Sequence, residues 1–229
     1  MFMKKIIEMS LIFILGLISI IPNQNIYSKD KKIKSQKEYQ KKLTDKPKDR
    51  IYDDSTGMVT YETHYKGKSG SIKLYWKEYG KKEARYSSVS MTFNGKTIEI
   101  INADIKLDSS LYSFEKESNI GTSKKTIKPI GGFQGDFDTS SFSKEILEKN
   151  QYQFLGNHEQ VGKMCNGFTM TINGKTLEGW NWNGLMIYSG TKIGQDRITE
   201  IIAKEIQTNI ELDNEIFTVP NNIKFTPVY

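Results

Sequence analysis

Residues 58–82, MVTYETHYKGKSGSIKLYWKEYGKK, alternate with a period of two. Val59, Tyr61, Thr63 and Tyr65 fall on one side of an extended chain, and Thr60, Glu62, His64 and Lys66 fall on the other. That is the pattern of a half-buried strand. Gly67 to Gly70 makes a turn. Ile72, Leu74 and Trp76 then alternate against Lys73, Tyr75 and Lys77, and Gly80-Lys81-Lys82 turns the chain again. Two amphipathic strands joined by so short a turn can only run antiparallel.

The same reading extends downstream. ARYSSVSMTF places Val89, Met91 and Phe93 on one face. Asn94-Gly95 is a two-residue hairpin signal, because both central residues of the favoured turn need positive φ. Thr97–Ile101 is the return strand, with further short strands at Asp104–Leu107 and Leu111–Glu115. Gly121 to Asp138, rich in Gly, Lys and Thr and holding Pro129, reads as a long loop. Ser140 or Ser141 caps a helix running to Lys149, with Phe142, Ile146 and Leu147 on one face. Strands resume at Gln151–Leu155 and through Phe168, Met170 and Ile172. A second hairpin at Asn173-Gly174 leads into Thr176–Trp182 and Leu185–Tyr188. Ile198 to Ile210 fits a helix or a strand, and its Ile and Thr content favours a strand. IFTVPNNIKFTP closes the chain in extended form. FNGKTIEI and INGKTLEG are similar, as a duplication or the chance recurrence of Asn-Gly hairpins would make them, and the recurrence is the favoured reading. The fold class is therefore mainly antiparallel β (α+β): an incomplete barrel or strongly curved sheet covered by one or few helices.

Upstream, Lys4 and Lys5 precede a 13-residue apolar run, Met9 to Ile21, ended by Pro22. This is the layout of a secretory signal peptide, too short for a comfortable membrane span. The expected organisation is a signal peptide over residues 1–28, a basic linker over 29–50 and a single β-rich domain over 51–229. The expected location is extracytoplasmic and periplasmic, without a stable membrane anchor. The net charge of +6 resides in the linker, whose ten Lys/Arg face four Asp/Glu. The remainder is near neutral, so no basic stripe for nucleic acid is expected. The lone Cys165 excludes an intrachain disulfide framework.

No catalytic constellation stands out. His64 and His158 are far apart, and no zinc spacing occurs. The surroundings of Cys165 offer nothing to lower a thiol pKa. Asp136 and Asp138 lack the ligand spacing of a calcium loop. Catalytic residues, metal and cofactor are all read as none, and the protein as non-enzymatic. Aromatic and methionine side chains from separate strands instead suggest an adaptable apolar site. The candidate ligand-binding residues are Ile72, Leu74, Trp76, Met91, Phe93, Phe168 and Met170; Trp180, Trp182 and Met186 belong to the same aromatic and methionine set. An ordinary filled core accounts for the same residues.

Four segments occur in order: TYETHYKGKSGSIKLYWKEYGKK, FLGNHEQVGKMCNGF, WNWNGLMIYSG and NEIFTVPNNIKF. Over residues 55–226 this chain resembles bacterial periplasmic domains similar to the outer-membrane lipoprotein carrier, in an uncharacterised secreted branch. The resemblance implies an incomplete antiparallel barrel closed by helices around a cavity for acyl chains. With one clear helix, the lid here is expected to be small. The ligand so implied is a lipid or lipidated molecule. The alternative is a structural or interaction protein of the cell envelope with a filled core and a protein partner.

Overall fold

The computed structural model describes residues 50–65, 68–93, 96–126, 130 and 149–228, with backbone alone for 91–93 and 96. The signal-peptide segment, the linker up to Asp49, the Asn94-Gly95 turn and all but the last residue of the expected helix lie outside the described residues.

The described residues form one open sheet of twelve strands, ordered β12-β6-β5-β4-β3-β2-β1-β11-β10-β9-β8-β7. Two meanders make it. The first runs through β1 (Gly57–Tyr65), β2 (Lys68–Lys77), β3 (Lys82–Phe93), β4 (Lys96–Leu107), β5 (Ser110–Glu115) and β6 (Ile120–Lys125). The second runs through β7 (Gln153–Gln160), β8 (Lys163–Ile172), β9 (Lys175–Trp182), β10 (Leu185–Ile193) and β11 (Asp196–Thr208). They join where β1 pairs antiparallel with β11, with a register shift between Thr60 and Tyr61. The last strand, β12 (Lys224–Pro227), pairs parallel with β6. The sheet is not closed: β12 and β7 are its edges.

Most expected strands are present, and several boundaries change. Thr97–Ile101 and Asp104–Leu107 belong to one continuous strand, β4, fully paired with β3. Of residues 198–210, the segment is strand as far as Thr208, within β11, and its last two residues lie beyond the strand. Asn173 and Gly174 take φ of 50° and 71°, as their tight turn requires. The start of the expected loop at Gly121 is strand, because β6 pairs with β5 on one side and β12 on the other. Pairing on both sides overrides the weak strand propensity of Gly and Lys. The closing segment is not wholly extended: Asn214–Phe217 forms a 3-10 turn, with the Asp213 side chain accepting from the Glu215 N–H.

Coil segments cover both faces of the first meander. On one face Leu212, Phe217 and Ile223 from the C-terminal segment pack on Ala84, Ala103, Ile105 and Phe114. On the other, Ile51 and Tyr52 pack on Val59, Leu74 and Trp76. Among the described residues, these irregular stretches supply the cover that the sequence assigns to helices.

Candidate functional site

The β2 alternation carries Trp76, Leu74 and Ile72 on one face. The ladder sets Gly57 opposite Trp76, Val59 opposite Leu74 and Tyr61 opposite Ile72. Trp76 is completely buried. Its ring lies 4.7 Å from that of Tyr52, and its indole N–H donates to the Asp54 carbonyl at 3.1 Å. Cys165, Leu185, Ile187 and Ala203 of the second meander complete the cluster. This end of the site is solid.

Next to it the same face turns ionic. Glu83 lies opposite Trp76 and Arg85 opposite Leu74 on β3. Lys106 and Asp104 of β4 lie opposite those two. Lys106 Nζ is 3.3 Å from Glu83 Oε2 and donates to the Gly80 carbonyl at 2.8 Å. Arg85 donates to Asp104 Oδ2 at 2.7 Å and to the Ile130 carbonyl at 3.1 Å. Ser113 donates to Asp104 Oδ1, and the Ile130 N–H donates to Glu83 Oε2 at 2.9 Å. Buried charges are tolerated only when paired and hydrogen-bonded in this way. Burial nonetheless pushes the Glu83 carboxyl above its ordinary range, against the pull of Lys106. Burial, then the Glu83 charge, push the Tyr52 phenol well up. Sequence reasoning misses this quartet. A signal exists all the same: Glu83 and Arg85 share the strand phase of Val89, so charges occupy inward positions.

Away from the ions the face opens. One row across the ladders runs Ile201, Thr63, Gly70, Val89 and Ile100. Ile72, Val89, Ile100 and Ile201 are half-buried, and Ile98 is 54% exposed.

The seven candidate ligand residues do not form one site. Ile72, Leu74 and Trp76 stand together. Met91 and Phe93 continue the β3 phase of Val89, at register positions opposite Ile98 and Lys96. Phe168 and Met170 are buried elsewhere. On β8 they occupy the opposite phase from Cys165, the β8 member of the Trp76 cluster. Phe168 stacks on Tyr152 at 6.1 Å and fills the space above Gly179. Trp180 does the same above Gly167.

Asp136 and Asp138, with the rest of the expected loop beyond Thr126 except Ile130, lie outside the described residues. The chemical candidates within the described residues have neighbours. His64 Nε2 is 3.1 Å from Glu62 and its Nδ1 is 3.2 Å from Ser69 Oγ, on an exposed surface. His158 lies beside Trp180 at 5.5 Å. Cys165 donates to the Lys163 carbonyl, and burial pushes its thiol up to about 11. A thiol so held is protonated at neutral pH and a poor nucleophile.

No protein-family model matches this chain, and no curated protein does. Solved structures do. MucB in its complex with MucA from Pseudomonas aeruginosa is 10% identical, with a TM-score of 0.48 over 78% of this chain and 60% of that one. LprF from Mycobacterium bovis is 13% identical, with a TM-score of 0.36 over 82% of this chain and 98% of that one. At those scores neither carries an argument. An uncharacterized conserved protein from Thermus thermophilus is 7% identical, with a TM-score of 0.50 over 83% of this chain and 99% of that one. With that protein this chain shares a fold.

Proposed function

We propose that this chain is a non-enzymatic, extracytoplasmic binding protein, akin to the lipoprotein carrier, that takes a lipid or acyl chain on the open part of its sheet. One observation carries the reading. Ile72, Val89, Ile100 and Ile201 lie half-buried on a single face, with Ile98 more exposed beyond them. Trp76 and Leu74 then form the floor of the site rather than its wall. Covering about 200 Å² of apolar surface on such a face contributes about 5 kcal/mol before ordering costs. A second reading, a structural or interaction protein of the envelope, is favoured by the complete burial of Trp76 and its contact with Tyr52.

The test is a fluorescent fatty acid displaced by an unlabelled one. The carrier reading expects saturable, displaceable uptake that Val89→Asp and Ile100→Asp abolish while the melting temperature stays within a few degrees. Absence of saturable uptake leaves the envelope-interaction reading.

A further inference from the structure

One rung crosses the ladders from Ile100 and Val89 on one side, through Thr63 and Ile201, to Ser189 and Phe168 on the other. At one end of the sheet three hairpins overshoot that rung by the same length. Their closing pairs are Phe93 opposite Lys96, Ile172 opposite Lys175 and Ile193 opposite Asp196. Phe93, Ile172 and Ile193 each stand four residues beyond the rung, counted from Val89, Phe168 and Ser189. That is about 13 Å along a strand. The β1–β2 hairpin between them is shorter and closes with Tyr65 opposite Lys68. Each closing pair sets an aliphatic or aromatic residue against a charge, and in three of the four that charge is a lysine. Two of the tips are continuous, because Ile193 also faces Lys175.

A single exposed isoleucine is ordinary on a folded surface. Here the pattern recurs at one level and on one end. Ile193 is 47% exposed, and Ile98, two residues beyond Ile100 in the same direction, is 54% exposed. The half-buried face of Val89 and Ile100 therefore runs out toward these tips. Lys192 and Arg197 have Glu178 and Glu200 beside them, while Lys68, Lys96 and Lys175 outnumber Asp196 and Glu99. The opposite end is built differently. There Lys77 donates to the Leu212 carbonyl, Lys82 pairs with Glu78, and Lys163 lies over the Trp182 ring. Trp182 and Leu185, which close the β9–β10 hairpin, belong to the Trp76 core. Val161 is exposed there, on one tip.

We propose that the end carrying Ile172, Ile193, Lys175 and Lys68 docks on a bilayer surface of anionic phospholipid headgroups. The isoleucines enter the headgroup layer and the lysines meet the phosphates, each adding to the attraction. The proposal deepens the apolar-ligand reading and rests on it for what is exchanged there. The geometry favours a bilayer over a compact protein. The Phe93 and Ile193 tips are four strand spacings apart along the sheet, about 19 Å, with a shorter hairpin between them. A soft plane reaches level tips without filling the recess, whereas a protein interface needs a closely packed patch.

The experiment places an environment-sensitive fluorophore on Ile193→Cys of the full chain, or on Val161→Cys at the opposite end; Cys165 is buried. Each protein is titrated with phosphatidylcholine vesicles, with and without phosphatidylglycerol. The expected result at residue 193 is a blue shift, and quenching by nitroxide-labelled lipid, on the anionic vesicles only, with residue 161 silent. Lys68→Gln with Lys175→Gln raises the lipid needed for half the shift about twenty-five-fold, about fivefold per lysine. Added salt weakens the response. The label reports its own surroundings, so attachment through another part of the chain does not imitate it. A silent residue 193 overturns the proposal, as do an equal response at residue 161 and an equal response on neutral vesicles. Uptake of a fluorescent acyl probe without vesicles judges the ligand reading separately. Probe uptake with a silent residue 193 removes the docking end and leaves that reading standing. A responding residue 193 without probe uptake supports the docking end and removes the cargo.

Discussion

Gly57 faces Trp76 across the β1–β2 ladder, and a Cβ at residue 57 would lie 2.3 Å from the indole ring and 2.6 Å from the Gln207 carbonyl. The glycine is there because the ring needs its place. Gly57→Ala should destabilise the fold by about 1–3 kcal/mol, the range for overpacking a close-packed interior. Gly162→Ala is the control. It has open space around it, so it should cost only about 1–2 kcal/mol through its positive φ of 66°. Urea midpoints of the two variants, with Gly57→Ser as a second probe of size, check the ordering.

Trp76→Ala should cost about 3–5 kcal/mol, the loss expected for a large aromatic in a filled core. Ile98→Asp, on the open part of the same sheet, should stay within about 0.5 kcal/mol. Chemical denaturation separates the two. A small loss at Trp76 would mean an interior looser than the contacts of Tyr52 and Trp76 imply.

Glu83→Ala leaves the Lys106 ammonium buried, with the Gly80 carbonyl as its remaining described partner. The expected loss is about 3–5 kcal/mol. The double variant Glu83→Leu, Lys106→Met removes both charges and should recover most of it. A double-mutant cycle on melting or urea curves measures the coupling.

Cys165 gives a pH signature. Burial raises its thiol from 9.0 to about 11 in the folded chain. A raised folded value means the folded state holds its proton where the unfolded state has lost it. That contribution to stability is complete below about pH 9 and disappears as pH rises through 11. Cys165→Ala should therefore show a shallower alkaline loss of stability than the parent chain. A thiol reagent at pH 8 should label the native protein only as fast as it opens, and label it at once in urea.

Much of this architecture is legible before any coordinates. The phases of Val59 and Tyr61, and of Ile72, Leu74 and Trp76, follow from the period-two alternation, and Asn173-Gly174 announces its own turn. Local patterns have limits, however. Nothing near β1 says that its second neighbour is β11, so the relation between the two meanders is invisible. That is why a reading by residue type groups Phe168 and Met170 with Trp76 although they occupy the other phase of β8. Tyr52 is hidden by its company, the polar run Asp53-Asp54-Ser55. Glu83 and Lys106 are hidden because a charge is ordinarily read as a solvated position, while here each satisfies the other across a ladder. β6 escapes notice because its strand character comes from two neighbours rather than from Gly121 or Thr122.

The β1–β11 seam also governs the order in which the molecule can be assembled. Residues 57–65 emerge early, yet their partners at 199–208 lie in the last strand but one to be made. At ordinary synthesis rates β1 waits roughly ten to twenty seconds for its second neighbour. Throughout that interval both flanks of the first meander, β1 and β6, have unpaired backbone groups, since the β12 partner of β6 follows β11, and each flank is a template for association with other chains. The nascent polypeptide thus cannot complete its central joint until β11 has been translated.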